Sequence, residues 1–220
     1  MTVPQLSEST EMYLKAMSEL GDRAVAIARL AERLNVTPVS ANEMMRRLGE
    51  QGLVTHMPYK GVTLTKKGRE VASNVIRRQR LWECFLYDHL NIEWAKVYEL
   101  ACALEHATAP EVTEALAEFL KHPQICPRGN PIPDENGLFT PLNGIALSEV
   151  EVGRKVIVLA VNATATDVLK YLQERNILPG QKIKIMEAAP LEGPLTLLVG
   201  GKEVVLGLSL AEFVIVESIS

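Results

Sequence analysis

The chain has 220 residues, 47% of them hydrophobic, and a formal net charge of −4. That length suits two modest domains, and the apolar fraction excludes a disordered chain. The most apolar run, Val156 to Val161, is too short to span a bilayer, and three widely spaced cysteines (Cys84, Cys102, Cys126) exclude a disulfide framework and fit a reducing cytoplasm.

No N-terminal run joins a basic start to an apolar stretch, so a secretory leader is not expected. Residues 8–20 read as an amphipathic helix with Met12, Leu14, Met17 and Leu20 at helical spacing, stopped by Gly21. A second short helix follows, with Ile27, Leu30, Ala31 and Leu34 on one side. After the turn "NVTP" a third begins near Pro38 and ends at Gly52, with Met44, Met45 and Leu48 as its core contacts. Two β-prone runs, Leu53 to Met57 and Val62 to Thr65, flank the turn "PYKG". Two helices around a tight turn and then a hairpin make a winged helix-turn-helix.

Thr65 is placed to cap a long helix from Lys66 to about His89, and Asn91 to cap another from Ile92 to about Ala107. Thr108 with Glu111 spells a capping box for a helix from Ala109 to Lys121. Residues 122–145 are rich in proline and glycine and read as a linker or an ordered loop. The period then becomes strand-like. Four strand-like runs, one of which folds into a hairpin at Gly200-Gly201, and one short helix capped by Thr164 or Thr166 predict a small barrel of about five strands.

Charge is uneven along the chain. Residues 23–80 carry 12 Lys/Arg against 4 Asp/Glu, and residues 81–150 carry 3 against 11. A basic block beside an acidic one points to a polyanion partner for the first and cation chemistry in the second; two solvated surfaces of opposite sign are the plainer alternative. A recognition helix needs small polar or basic side chains near its N-terminal end. Thr37, Ser40, Asn42 and Glu43 stand there, followed by Arg46 and Arg47, with Tyr59 and Lys60 at the hairpin tip to meet a phosphate or the minor groove.

The stretch "ACALEHAT", residues 101–108, gathers a thiol, a carboxylate and an imidazole. On an ideal helix, with Tyr98 at zero, Cys102, Glu105 and His106 fall at about +40°, −20° and +80°. Val97, Leu100, Ala101 and Leu104 form a separate apolar stripe. Donors so placed are able to share one divalent ion. The competing reading is a small buried cysteine beside a partly exposed Glu–His pair. The pair His122 and Cys126 lacks two further ligands for zinc and reads as structural. Cys84 reads as packing, and His56 and His89 have no evident partner.

"TEMYL" at 10–14, the winged helix-turn-helix, C-x-x-E-H at 102–106, "GNPIP" at 129–133 and the small β-barrel occur in that order. The whole chain resembles the diphtheria toxin repressor family of metal-dependent transcriptional regulators. The resemblance implies an α+β chain of three parts. These are a winged helix-turn-helix DNA-binding domain (1–65), a helical metal-binding and dimerisation domain with a Pro-rich loop (66–145), and an SH3-like domain of the ferrous-transport accessory type (146–220).

It implies a cytoplasmic, metal-activated repressor of metal homeostasis genes rather than an enzyme. Its partners would be a second copy of the chain and a palindromic duplex operator, with no membrane. The primary metal site falls on Met12, Cys102, Glu105 and His106. Soft thioether and thiolate donors favour Fe²⁺ over the alternative Mn²⁺, with other divalent transition metals able to substitute. The family's ancillary site falls on Gln79, Glu83 and Tyr98, where only the carboxylate survives, and an anion position falls on Arg80 beside it. Glu83 is expected to pair with a base such as Arg80. A metalloenzyme and a sensor of a small organic molecule are the alternatives from other classes.

Overall fold

A computed structural model describes residues 6–21, 23–57 and 59–219. Pro58, which the sequence places in the wing turn, lies outside the described residues. The chain divides into two compact units. One takes the residues up to Arg78 with Pro133–Leu138, the other Gln79–Ile132 with the chain from Phe139 on.

In the first unit, α1 (Glu8–Glu19) begins at Ser7, whose hydroxyl accepts from Thr10 N at 3.3 Å. It buries Tyr13, Leu14, Ala16 and Met17. Helix α2 (Ile27–Arg33) and α3 (Pro38–Glu50) follow. Thr37 caps α3 by accepting from Ser40 N at 3.1 Å, and Pro38 occupies the first turn, where no amide donor is needed. Strands β1 (Val54–Met57) and β2 (Gly61–Leu64) form the antiparallel wing, Val54 opposite Leu64 and Met57 opposite Gly61. Leu14, Met17, Leu30, Met45, Leu48, Leu53 and Val62 close one core. Burying each of the larger side chains is worth about 1.5–3 kcal/mol.

Thr65 opens α4 (Lys66–Asp88) as expected, its hydroxyl accepting from Gly68 N at 3.1 Å. Within this unit Arg78 of α4 donates to Glu11 of α1 at 2.7 Å, both side chains mostly buried. Arg77 donates to the Pro133 carbonyl at 2.9 Å.

The second unit holds the end of α4, a 3₁₀ turn at Trp94–Lys96, α5 (Val97–Glu105) and α6 (Pro110–Phe119). It also holds β3 (Ile145–Ala146), β4 (Lys155–Val161), α7 (Thr166–Glu174), β5 (Lys182–Ala188), β6 (Leu195–Val199), β7 (Lys202–Leu206), α8 (Leu208–Ala211) and β8 (Val214–Ile219). The strands make one antiparallel sheet in the order β3-β8-β4-β5-β6-β7, with register shifts between Val158 and Ala160 and between Ile185 and Glu187 that bend it. Its core includes Val156, Leu169, Leu172, Ile183 and Leu197. Trp94 and Ala95, from before α5, pack into the same cluster.

Four expectations change. The sheet has six strands; β3 is too short to show alternation. Asn91 caps no helix: it sits at φ 52°, and the chain makes a 3₁₀ turn before α5 starts at Val97. The Thr108–Glu111 box does not form at α6, which has Ala109 at its N-cap and no side-chain cap. The Thr108 hydroxyl instead donates to Leu104 O and accepts from Trp82 Nε1, both at 2.7 Å. Neither Thr164 nor Thr166 caps α7; its N-cap is Ala165, without a side-chain bond.

Gly129 of the "GNPIP" stretch must lack a side chain. It sits at φ +83°, and a Cβ there would stand 1.9 Å from Leu159 O. Gly129→Ala is expected to cost more than about 3 kcal/mol, because left-handed strain and a backbone clash add. Chemical denaturation monitored by near-UV dichroism checks this.

Candidate metal centre and nucleic-acid interface

Cys102 and Glu105 lie on α5, and His106 is its C-cap. The two stripes read from an ideal helix are partly exchanged. Glu105 is completely buried, 0% exposed, while Leu100, expected in the core stripe, is 41% exposed. Val97 and Ala101 are buried as expected, and Glu105, one turn on from Ala101, joins their face. His106 Nε2 stands 3.3 Å from Glu105 Oε1, its side chain mostly buried. Cys102 Sγ accepts from Gln79 Nε2 at 3.6 Å.

Two of the three donors are thus together, and the third is engaged by Gln79. Among the described residues, no group of three or more His, Cys, Asp or Glu side chains is drawn close enough to hold an ion. By chemistry the set still fits a divalent ion: positive charge is favoured beside a desolvated carboxylate, and an imidazole stands at its side. Met12 is half-buried on α1, in the other unit.

Glu83 pairs with a base, as expected, but the hydrogen bonds come from Arg128. Arg80 donates to the Pro131 carbonyl. The partner of Glu83 is Arg128, whose Nε donates to Oε2 at 3.2 Å and Nη2 to Oε1 at 2.9 Å. Gln79 Nε2 also donates to Glu83 Oε1 at 3.1 Å. The guanidinium lies 4.4 Å over the Tyr98 ring and donates from Nη1 to Val161 O at 3.2 Å and Ala163 O at 3.1 Å. Burial works against the Arg128 charge, but the Glu83 carboxylate together with the Cys126 and Tyr98 groups raises the guanidinium pKa overall.

Sequence reasoning missed Arg128 because its partner is 45 residues away. One signal was present. Residues 81–150 hold only Lys96, Lys121 and Arg128 as bases, and a lone inward carboxylate needs a cation. Burial raises the thiol pKa of Cys84 and pushes Cys126 up to about 12, so both are inert packing groups. His122 is exposed at φ 51° just past α6.

On the first unit, Thr37, Ser40, Asn42, Glu43, Arg46, Arg47, Tyr59 and Lys60 are all exposed. Tyr59 projects from the wing at φ 60°. The α3 charges compensate one another. Arg46 donates to Glu43 at 3.1 and 2.8 Å and also to Glu50, and Arg47 reaches Glu43 at 3.3 Å. The Arg46 hydrogen bond holds the Glu43 carboxyl at a pKa of about 2.

A winged helix-turn-helix joined to a helical body and a small antiparallel sheet defines a DNA-binding regulator with an accessory domain. Three family models match in that order. They are "Iron dependent repressor, N-terminal DNA binding domain" over 5–62, "Iron dependent repressor, metal binding and dimerisation domain" over 65–134, and the FeoA domain over 145–218. The chain is 30% identical to the iron-dependent repressor IdeR of Mycobacterium tuberculosis, over 98% of this chain and 99% of that one. It is 31% identical to the diphtheria toxin repressor of Corynebacterium diphtheriae, over 97% and 99%. A manganese-dependent transcriptional repressor solved in complex with manganese superposes with a TM-score of 0.87 at 30% identity, covering 96% of this chain and all of that one.

The chain belongs to the iron-dependent repressor family, also represented by the diphtheria toxin repressor. It is a metal-dependent, DNA-binding transcriptional repressor with a dimerisation domain, and not an enzyme. Among the described residues no helix is long and apolar enough to cross a membrane.

Proposed function

We propose that this repressor is cytoplasmic, answers to Fe²⁺ and holds the ion with Met12, Cys102, Glu105 and His106. The observation that carries the proposal is the buried Glu105–His106 pair one turn from Cys102. Met12 is added by the resemblance in "TEMYL". A bound divalent ion would bring positive charge to the buried carboxylate. Cys102 would have to leave Gln79 to join, so the donor set is completed on loading. A thioether and a thiolate favour Fe²⁺ over Mn²⁺.

Met12 lies on α1, which shares one core with α3, so fixing it biases how α3 is presented. Metal and operator affinity are then coupled reciprocally, by about 1–3 kcal/mol in typical cases. The division of labour follows the sequence: residues 1–65 read DNA, 66–145 hold metal and pair two chains, and 146–220 form the accessory domain. Tyr87, Leu100, Val112 and Phe119, apolar and exposed on α4 to α6, suit the pairing surface. A two-fold protein reads a palindromic operator.

Anaerobic gel retardation tests this, using duplex DNA selected from a random pool by the Fe²⁺-loaded protein. Retention with Fe²⁺ that vanishes with chelator supports the reading, and retention indifferent to metal refutes it.

Thr37, Ser40, Asn42 and Glu43 are proposed to face base edges, and Arg46, Arg47, Tyr59 and Lys60 the backbone. Glu43 restrains both arginines. Glu43→Gln is therefore expected to release them to phosphates, raising non-specific affinity. The log–log salt slope should steepen by about one unit per added contact. Fluorescence anisotropy on unrelated duplex across a salt series reads the slope; an unchanged slope contradicts the restraint.

A further inference from the structure

The buried ion pair at Glu83 occupies the place where the family resemblance puts a second metal ion. The residues present do not fit such an ion. Gln79 and Tyr98 replace its imidazoles, and both Glu83 oxygens are already taken by a guanidinium. Glu83 is 0% exposed and Arg128 3%.

We propose that Arg128 is a built-in cation that replaces the ancillary metal, so that this repressor binds one regulatory ion per chain and holds its C-terminal sheet on the helical body without any metal.

The bonding set supports this. An ion at Glu83 would neutralise a buried carboxylate and cross-link separate segments. Arg128 does both. It neutralises Glu83 through two parallel hydrogen bonds, the geometry in which arginine binds carboxylate best. Its third nitrogen, Nη1, spans to Val161 O and Ala163 O, at the end of β4 and just beyond it. Its own carbonyl accepts from Val161 N at 2.9 Å, so backbone and side chain hold the same strand end. Other bonds repeat the link nearby. Ala95 N donates to Gln173 Oε1 at 3.1 Å and Thr166 Oγ1 donates to Glu99 Oε2 at 2.8 Å, while Trp94 Nε1, whose ring packs in the core of the sheet, donates to Pro127 O beside Arg128 at 2.9 Å. These segments form one compact unit with the sheet.

A guanidinium cannot be chelated away or displaced by changing metal supply. The docking of the sheet is therefore constant, and regulation is left to the primary site. This conclusion rests on the proposed primary site only for the count of one ion.

Two measurements test it. Anaerobic titration with Mn²⁺ and with Fe²⁺, read by calorimetry and elemental analysis, is expected to give one ion per chain in wild type. Two ions, the second lost in Glu83→Gln, overturns the inference and leaves the primary site standing. No bound ion, or one ion that survives Cys102→Ala, overturns the primary site instead and leaves Arg128 to the second measurement.

That second measurement is thermal melting in excess chelator. Removing one partner of a buried pair strands the other charge, so Arg128→Ala is expected to lower Tm by on the order of 10 °C. Arg128→Lys keeps the charge but not the fork, and should recover only part of that loss. Arg128→Ala with Glu83→Gln removes the stranded charge and should recover more. An Arg128→Ala protein that melts with wild type in chelator overturns the inference. If Arg128→Ala is too unstable to purify, the double variant and the lysine variant are compared with wild type. A lysine variant as stable as wild type then overturns it.

Discussion

Cys102→Ala is expected to bring operator affinity in the presence of Fe²⁺ down to its metal-free level, a loss of roughly 5–150-fold for a typical coupling. The fold should survive. Cys102 is only half-buried, and the hydrogen bond it accepts from Gln79 is a long one. Trimming one sulfur there costs about 1 kcal/mol or less. The thiolate is also the donor that most separates Fe²⁺ from Mn²⁺, so any residual response should shift toward the harder ion. Titrating the variant with each metal while following operator anisotropy reads both effects. Wild-type activation by Fe²⁺ in this variant would remove the thiolate from the site.

Glu105→Gln separates metal binding from folding. The side chain keeps its shape and loses its charge. A buried carboxylate carries a desolvation cost that its polar neighbours, His106 among them, offset. The neutral amide keeps the shape and removes that cost together with the pairing, so the metal-free protein should melt close to the wild-type temperature. Metal affinity should fall on the order of 100-fold, because a full negative charge next to a divalent ion is lost in a dry site. Competition against a fluorescent chelator measures the affinity, and calorimetry in chelator measures the melt. A variant with wild-type metal affinity contradicts the assignment. A variant that loses both metal affinity and metal-free stability would make Glu105 a folding residue instead.

The reading unit was legible because local rules govern it. Thr65 caps the helix that follows as expected, Ser7 and Thr37 cap theirs by the same rule though they were not singled out, and the apolar positions Leu14, Met17, Leu30, Met45 and Leu48 recur at helical spacing and meet in one core. The wing has the antiparallel pairing that its two short runs spell. The helical body was less legible. The capping box at Thr108 fails because a tryptophan 26 residues earlier and a backbone carbonyl compete for the same hydroxyl. The angles on α5 hold, but they do not say which arc meets the core: the packed face runs through Val97, Ala101 and Glu105, one turn apart, and leaves Leu100 at the surface.

The metal motif itself was visible as three donor residues at helical spacing. What the sequence concealed was its present state, with Glu105 against His106 and Cys102 against Gln79. Arg128 was hidden for a different reason. Its neighbours, "CPRGNPIP", describe a turn, and only the tertiary fold brings its guanidinium to Glu83 and to the carbonyls of Val161 and Ala163. Charge counting over residues 81–150 leaves Arg128 one candidate beside the nearer Arg80, and geometry is needed to choose between them.

The most direct measurement is a crystal structure of the Fe²⁺-loaded protein on its selected duplex, prepared anaerobically. The account predicts one ion per chain bound by Met12 Sδ, Cys102 Sγ, Glu105 and His106, with α3 in the major groove. An ion-loaded, operator-bound protein in which Met12 and Cys102 both turn away from the metal would contradict it.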